Sequence, residues 1–395
     1  MAKILVTKPT GEPVPFLRGI LVQSLLSAGL SFDSAYAATQ AVRDALGERE
    51  RITADELGER VAHILDERYG PEVRQAYESR AHEDQDIMVR TSTGSSRFSE
   101  DRLTRGLEAY AIDRECGRAV THIVHEALRH SGRHEIDHLE LRQAVYSCLK
   151  DNRSSQEAGR YLSWYQFENS ADPLIILVGG ATGAGKSTIT SALAYRLDIV
   201  RTQSTDMMRE IIRAYLAPHV VPTLAYSSFE AWRGLPSLDG LPGKRRMDNP
   251  VISGFLSQFG AIKAALEATI ARAVKERHHL IVDGVHVLPT ELDLADASEQ
   301  AVVVPIMLAV TTRQRLAYYL ARRSREQPGR GAGSRYLNNV DAIWELQSYL
   351  LASADKGGIP IVGNWSVEDS IQEILSEVSR RVVQRYPPDP AVLGL

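Results

Sequence analysis

The sequence predicts an α/β protein: a doubly wound, parallel, five-stranded sheet preceded by a mostly helical N-terminal region of tandem repeats. Three observations predict this. After Leu174, short β-branched runs alternate with amphipathic helical stretches, the pattern of a parallel sheet with helical crossovers. The first of those runs, LIILV, leads directly into GGATGAGKST and a helical pattern. Ahead of it, one hairpin-plus-helices pattern is written twice, as a duplicated module would be.

The elements run in order from the N-terminus. ILVTKPTGEPVPF, residues 4–16, reads as a hairpin around a Pro-Thr-Gly turn. Helices are expected from Leu17 to about Gly29 and from about Ser34 to Leu46. A third starts at ITADEL, where Thr53 and Glu56 have the spacing of a capping box. IMVRTSTGSSRF, residues 87–98, repeats the hairpin, with Gly94 in the place of Gly11 and Phe98 in that of Phe16. Leu25, Val42 and Leu46 match Leu107, Val124 and Leu128 at an offset of 82. Ile52, Leu57, Val61 and Leu65 match Ile136, Leu141, Val145 and Leu149 at 84. Helical periodicity alone can align two amphipathic stretches; the matched hairpin glycine and phenylalanine argue for duplication. The expected limits are 1–85 and 86–151 for the repeats, 152–173 for a linker and 174–395 for the sheet domain. Its strands are expected at 174–178, 199–203, 279–283, 302–308 and 359–362. A Pro/Gly-rich insertion at 218–250 and an Arg/Gly-rich one at 322–335 interrupt it, and such segments carry substrate contacts or lids.

Composition sets the broad class. The 395 residues suit two or three domains, at about 100–200 residues each. Hydrophobic residues at 44% and charged residues at 24% allow an ordinary core. A net charge of −4 gives no whole-molecule attraction to nucleic acid or a membrane surface. No apolar run reaches the ~20 residues of a spanning helix, and MAKILVTKPTGEP lacks a signal-peptide core. Cys116 and Cys148 make no disulfide framework and have no zinc spacing. They read as buried thiols of a cytoplasmic protein.

The glycine-rich stretch carries the chemistry. Gly180, Ala181, Thr182, Gly183, Ala184, Gly185, Lys186 and Ser187 match GxxxxGK[ST], with Thr188 next, and the flanking strand and helix are the required setting. Glycines let the backbone close around phosphates, with amide N–H groups and a helix N-terminus facing the negative charge. Lys186 is expected to reach the β- and γ-phosphates of a nucleoside triphosphate, and Ser187 to ligate Mg²⁺. A turn that binds nothing is the plainer alternative, and the complete motif in its setting argues against it.

Residues beyond the loop separate the classes of protein that share it. A GTPase carries NKxD after a strand, whereas NNVD, residues 338–341, has other residues and lies in a helical pattern. No transporter-like signature accompanies the later acidic strand. Three features favour a compact kinase. STDMMRE places Asp206 where the second strand gives way to a helix, at the strand ends where ligands of open α/β sheets bind. Asp206 there orients or deprotonates an acceptor hydroxyl, or simply caps the helix. HHLIVDGVHVLP ends a strand in Asp283, the carboxylate expected to hold Mg²⁺ or its water. His286 reads equally as a substrate contact or a structural histidine. ARRSREQPGRGAGSR carries Arg322, Arg323, Arg325, Arg330 and Arg335, positive charge for a moving phosphoryl group under a lid. Arg322 and Arg323 are nearest a fixed helix.

Taken in order, GGATGAGKST, STDMMREIIR, PTLAYSSFEAW, VISGFLSQ, IVDGVHVLP, RYL and IPIVGN resemble 2-phosphoglycerate kinase over about residues 174–385. The resemblance implies a P-loop kinase core that uses ATP and Mg²⁺ to phosphorylate the free hydroxyl of 2-phosphoglycerate, giving 2,3-bisphosphoglycerate. It implies catalytic roles for Lys186, Asp206, Asp283, Arg322 and Arg323, an ATP site over residues 180–188, and a metal site at Ser187 and Asp283. An acceptor with a phosphate and a carboxylate wants paired cations. Arg209 and Arg213, four apart on one helix face, and Arg233 are the candidate clamps. Lys244, Arg245 and Arg246 read equally as a clamp or a solubilising loop. Asp206, Tyr226, Ser227, Ser228 and Trp232 complete the acceptor side. Asp283 stands where the family often has Glu, which shortens its reach.

VTKPTGEPVPF resembles the opening of the ATP-cone, a small regulatory nucleotide-binding domain. That resemblance implies regulatory nucleotide contacts at Lys8 and Arg18; Thr91 stands where Lys8 would recur. A docking or homo-oligomerisation module is the competing reading of this region. For the whole chain two other readings stay open: a P-loop kinase for another small anionic or hydroxyl acceptor (sugar, nucleoside, polynucleotide end), and a nucleotide-sensing regulatory ATPase. Nucleic-acid binding is least favoured, because no basic stripe interleaved with aromatics is present.

Overall fold

A computed structural model describes residues 4–7, 13–47, 49–83, 87–92, 94–131, 133–152, 155–217, 219–236, 249–326 and 332–395. The chain divides into two compact units, residues 1–98 with 126–138, and residues 99–125 with 139–395.

In the first unit, β1 (Leu5–Thr7) pairs antiparallel with β2 (Pro13–Pro15). After α1 (Arg18–Ser27) and α2 (Phe32–Leu46), the chain returns as β3 (Arg51–Thr53), parallel to β1. α3 (Ala54–Tyr69) and α4 (Pro71–Glu83) come next. The capping box at the start of α3 forms in both directions: Glu56 N donates to Thr53 Oγ1 (3.2 Å), and Thr53 N donates to Glu56 Oε2 (3.4 Å). β4 (Met88–Thr91), β5 (Gly94–Arg97) and, much later, β6 (Glu135–Asp137) make a second three-stranded sheet. Its order, β5-β4-β6, and its strand senses match those of β2-β1-β3. Val6 faces Ile52 in one sheet and Val89 faces Ile136 in the other. The matched positions are core positions in both stretches: Leu25 and Leu107, Val42 and Val124, Leu46 and Leu128, Ile52 and Ile136, Val61 and Val145, and Leu65 and Leu149 are all buried.

The second unit holds α5 (Glu100–Ala109), the first part of α6 (Arg114–His130), nearly all of α7 (His138–Asn152), and α8 (Ser155–Asn169). Its sheet comprises β7 (Leu174–Gly180), β8 (Thr202–Ser204), β9 (Leu280–Gly284), β10 (Val302–Ala309) and β11 (Ile361–Gly363). The order is β11-β10-β7-β9-β8, and every pairing is parallel. The crossovers are helical: α9 (Lys186–Arg196), α10 (Thr205–Tyr215), α11 (Pro250–Lys275), α12 (Ala295–Gln300), α13 (Arg313–Glu326), α14 (Ala332–Asn338) and α15 (Val340–Lys356), with α16 (Val367–Arg385) closing the fold. This is the α/β architecture expected of a P-loop kinase core.

β7 and β10 are buried at every position, which is why they read as unbroken apolar runs. Pro305 sits inside β10, where a missing N–H normally breaks the ladder. Met307 N donates to the Pro360 carbonyl on the β11 side, so Pro305, of the same parity, also turns its nitrogen that way. β11 pairs from Met307 onward, and Pro305 lies before it begins. At the other edge, β8 is shorter than the expected 199–203, and Val200 beside it is 91% exposed.

Residues 152–173, expected as a linker, contain α8, whose Tyr161, Leu162, Trp164 and Phe167 are buried. Tyr161, Trp164 and Phe167 recur at three-residue steps and so share one side of the helix. Trp164 Nε1 donates to Ser379 Oγ on α16 (3.0 Å), and Ser379 Oγ donates to the Tyr110 carbonyl (3.1 Å). Tyr110 stacks on Trp164 at 4.9 Å. Among the described residues, no helix is long and apolar enough to cross a membrane.

Candidate active site

The phosphate loop joins β7 to α9 at the carboxyl edge of the sheet. Gly183 and Gly185 have φ of 87° and 84°, backbone that side-chain-bearing residues rarely adopt. A Cβ on Gly185 would also lie 2.3 Å from Asn364 Nδ2. That amide donates to the Ala184 carbonyl (2.9 Å) and is buried there, so the residue after β11 pins the loop from across the sheet. Ala181 and Ala184 are buried, Thr182 is half-buried, and Ser187 and Thr188 are exposed. Lys186 Nζ donates to the Ala181 carbonyl (2.9 Å), folded over its own loop.

Two carboxylates approach this loop from neighbouring strand ends. Asp283, in β9, lies opposite Val178 of β7 and Ser204 of β8. It is 7% exposed, and Ser187 Oγ stands 3.5 Å from its Oδ2. Burial pushes its carboxyl above the ordinary range; Lys186 pulls the other way, and the Asp206 charge adds to the rise. Asp206 is the second residue of α10, but the helix is capped by Ser204, whose Oγ accepts from Asp206 N (3.3 Å). The exposed Asp206 side chain is therefore not the cap. Gly284 lets β9 pass α10 closely, since a Cβ there would overlap Thr205 Oγ1 at 1.7 Å.

His286 lies in the turn after β9 and is fully buried. Its Nε2 lies 3.1 Å from Gln258 Oε1. Gln258 Nε2 already donates to the Thr223 and Tyr226 carbonyls (2.6 and 2.8 Å). Gln258 Oε1 is thus left as the acceptor, so His286 carries its proton on Nε2. Burial, with Arg209 and Lys186 nearby, holds the imidazole down at about 4 against the pull of Asp206.

The expected acceptor residues gather around the turn at 222–234. Arg209 donates to the Leu224 and Tyr226 carbonyls (2.9 and 2.8 Å) and to Glu210, which also pairs with Arg213. Arg213 borders a cavity of about 220 Å³ with Leu216, Val221 and Leu224. Tyr226 is half-buried, Ser228 buried and Trp232 40% exposed. Arg233 pairs with the buried Glu230 (3.2 Å). Arg322 is exposed near the end of α13; Arg323 is next in the same helix, and its side chain lies outside the described set. α13 also covers the loop, because Leu316 and Leu320 would meet a Cβ on Gly183. In the first unit, Arg18 donates to Gln40 Oε1 (3.0 Å). Lys8, Lys244, Arg245, Arg246 and Arg330 lie outside the described residues.

A divalent cation fits beside the loop. The Ser187 hydroxyl and the Asp283 carboxylate are adjacent oxygen donors of the kind hard cations take. Among the described residues, no three His, Cys, Asp or Glu side chains gather into a ready cage. Mg²⁺ typically needs no such cage, as it is held by one or two side chains together with phosphates and water.

Residues 158–230 match the Zeta toxin family. The chain is also similar to the 2-phosphoglycerate kinase of Pyrococcus horikoshii, at 32% identity over 289 residues, covering 73% of this chain and 91% of that protein. The chain belongs to the 2-phosphoglycerate kinase family. The enzyme of that name from Pyrococcus furiosus is equally similar, 32% over 287 residues, covering 73% and 91%. Among solved structures, a gluconokinase from Sinorhizobium meliloti matches at 16% identity with a TM-score of 0.31, over 54% of this chain and 96% of that one. In this member of the 2-phosphoglycerate kinase family, the buried polar residues Glu230, Gln258 and Asn364 lie within PTLAYSSFEAW, VISGFLSQ and IPIVGN, but the motifs alone assign them no role. Two leave a signal. Glu230 interrupts the apolar stretch FEAW, and Gln258 stands in the apolar stripe of Phe255, Phe259 and Ile262. Asn364 leaves only its place at the end of IPIVGN, after a strand.

Proposed function

We propose that the protein transfers the terminal phosphoryl group of ATP to the free hydroxyl of 2-phosphoglycerate, giving 2,3-bisphosphoglycerate. The reading is carried by one observation: in a chain of this family, Lys186, Ser187 and Asp283 meet at the ends of β7 and β9, with Asp206 close enough to shift Asp283. Lys186 leaves the Ala181 carbonyl for the β- and γ-phosphates. Ser187 and Asp283 hold Mg²⁺, which when bound offsets charge on those phosphates. Asp206, exposed and released from capping, orients the acceptor hydroxyl and takes its proton. Arg322 and Arg323 bring positive charge to the transferring group. Arg209 acts by fastening the acceptor turn, and Arg213, Tyr226, Ser228 and Arg233 border the acceptor. The protein works in the cytoplasm.

The N-terminal region is read as an ATP-cone-like domain, 1–85, with a regulatory nucleotide at Lys8 and Arg18, followed by a second, degenerate cone-like repeat, 86–151. Two sheets of the same order and strand sense support this reading.

ADP release coupled to added acceptors tests the main proposal. The wild-type chain prefers 2-phosphoglycerate to sugars and nucleosides. Lys186→Ala lowers kcat/KM at least about 100-fold, as loss of a transition-state charge contact does, with an unchanged circular dichroism spectrum. Near-normal turnover in that folded variant removes Lys186 from the mechanism. A sugar or nucleoside turned over faster removes 2-phosphoglycerate as the substrate.

A further inference from the structure

We infer that Arg233 and Arg335, held together by the buried carboxylate of Glu230, form an oxyanion site that grips the acceptor; this rests on the kinase reading above. Glu230 lies between the buried Phe229 and Ala231, and its own side chain is 4% exposed. A carboxylate so buried needs a cation. It has two. Oε1 takes Arg233 Nη2 at 3.2 Å, and Oε2 takes Nε and Nη2 of Arg335. One arginine suffices to neutralise one carboxylate, so the second leaves a net positive charge at a fixed place.

The arginines are presented outward. Their side chains are 49% and 46% exposed, while the carboxylate between them is covered. Each guanidinium packs by a ring, Arg233 at Trp232 (5.6 Å) and Arg335 at Phe229 (5.9 Å). Tyr336 lies against the same Phe229 at 5.8 Å. Among the described residues, neither arginine has another side-chain hydrogen-bond partner, so most of the five N–H groups on each are unspent. Two such forks side by side suit a carboxylate or a phosphate ester.

The pair joins the two insertions of the kinase unit. Arg233 closes the turn at 222–234, and Arg335 stands on α14. That turn is tied to the strand ends of the site. The Tyr226 carbonyl accepts from Arg209 of α10 and from Gln258, which also holds His286 after β9. Glu230 N donates to the Ser227 carbonyl (2.8 Å), one residue beyond Tyr226. The acceptor's second anionic group is thereby gripped by residues anchored to the segment that carries Asp206.

The test uses the full-length chain with Arg233→Gln and Arg335→Gln. KM is measured for 2-phosphoglycerate and for ATP, and inhibition constants for glycerate (carboxylate alone) and glycerol 2-phosphate (phosphate alone). Each variant is expected to raise the 2-phosphoglycerate KM about 10- to 100-fold, the loss of one charge-assisted hydrogen bond, with the ATP KM within twofold. The fragment whose inhibition weakens in the variants names the group that is gripped. Arg233→Gln, on an exposed side chain, decides the matter should Arg335→Gln fail to fold. An unchanged 2-phosphoglycerate KM and unchanged inhibition by both fragments overturn the site and leave the kinase reading standing. A wild-type chain that does not turn over 2-phosphoglycerate sinks that reading, and this site with it.

Discussion

Asp283 and His286 stand three residues apart, and the same burial drives them in opposite directions, the carboxyl up and the imidazole down. Both shifts favour the neutral form, as desolvation must. For Asp283 the Lys186 charge offsets part of the cost. His286 stays neutral, its tautomer set by Gln258. Its ordinary value near 6.5 applies in the unfolded chain, against about 4 in the fold. Between those values the unfolded chain binds more protons. Stability from neutral His286 is therefore present above about pH 6.5 and lost as pH falls towards 4. His286→Gln keeps a donor for Gln258 and removes the titration. Denaturant unfolding at a series of pH values should show a shallower fall in the variant, by roughly 3 kcal/mol across the window. Parallel curves for the two proteins contradict this. At this scale the sequence was informative where residue type and motif coincide, as at Lys186 and Asp283. Gln258 is visible there only as a polar residue in an apolar stripe, and its role appears once its two carbonyl partners are known.

Elements were legible where their signals are local. The capping box of Thr53 and Glu56, the loop glycines and the alternation of strand and helix all act within a few residues. The spacing of Arg209 and Arg213 correctly placed them on one helix, but Glu210 between them takes both guanidiniums. α8 was hidden because its Asn/Ser/Gly-containing sequence resembles a junction, while its aromatic side is covered by α16 and Tyr110. The loop element makes its own prediction. Gly185→Ala places a Cβ in left-handed backbone and against Asn364 Nδ2. The strain alone is of order 1–3 kcal/mol. Calorimetric ATP titration should show affinity lowered at least about tenfold. In an Asn364→Ala background the same substitution should lose less, because the clash is gone while the φ strain stays. Additive losses would remove Asn364 as the loop's clamp.

The whole molecule sets two units and two small sheets of the same design in one chain. If the N-terminal repeats keep a regulatory nucleotide, that site is separate from the phosphate loop. Lys186→Ala should then retain ATP binding in equilibrium dialysis, and adding Lys8→Ala should remove it. Equal binding in the single and double variants leaves the repeats without the nucleotide role. The sequence by itself determined the triphosphate loop, the five alternating strands and the repeat offset. Each is written in backbone conformation or hydrophobic spacing that neighbouring residues impose on one another. The tertiary structure alone decided which distant groups meet: Asn364 with a loop 180 residues earlier, and Arg335 with Glu230 at a separation of 105. Whether a charge is buried, paired or left over depends on the neighbour that folding brings, and no local spacing carries that.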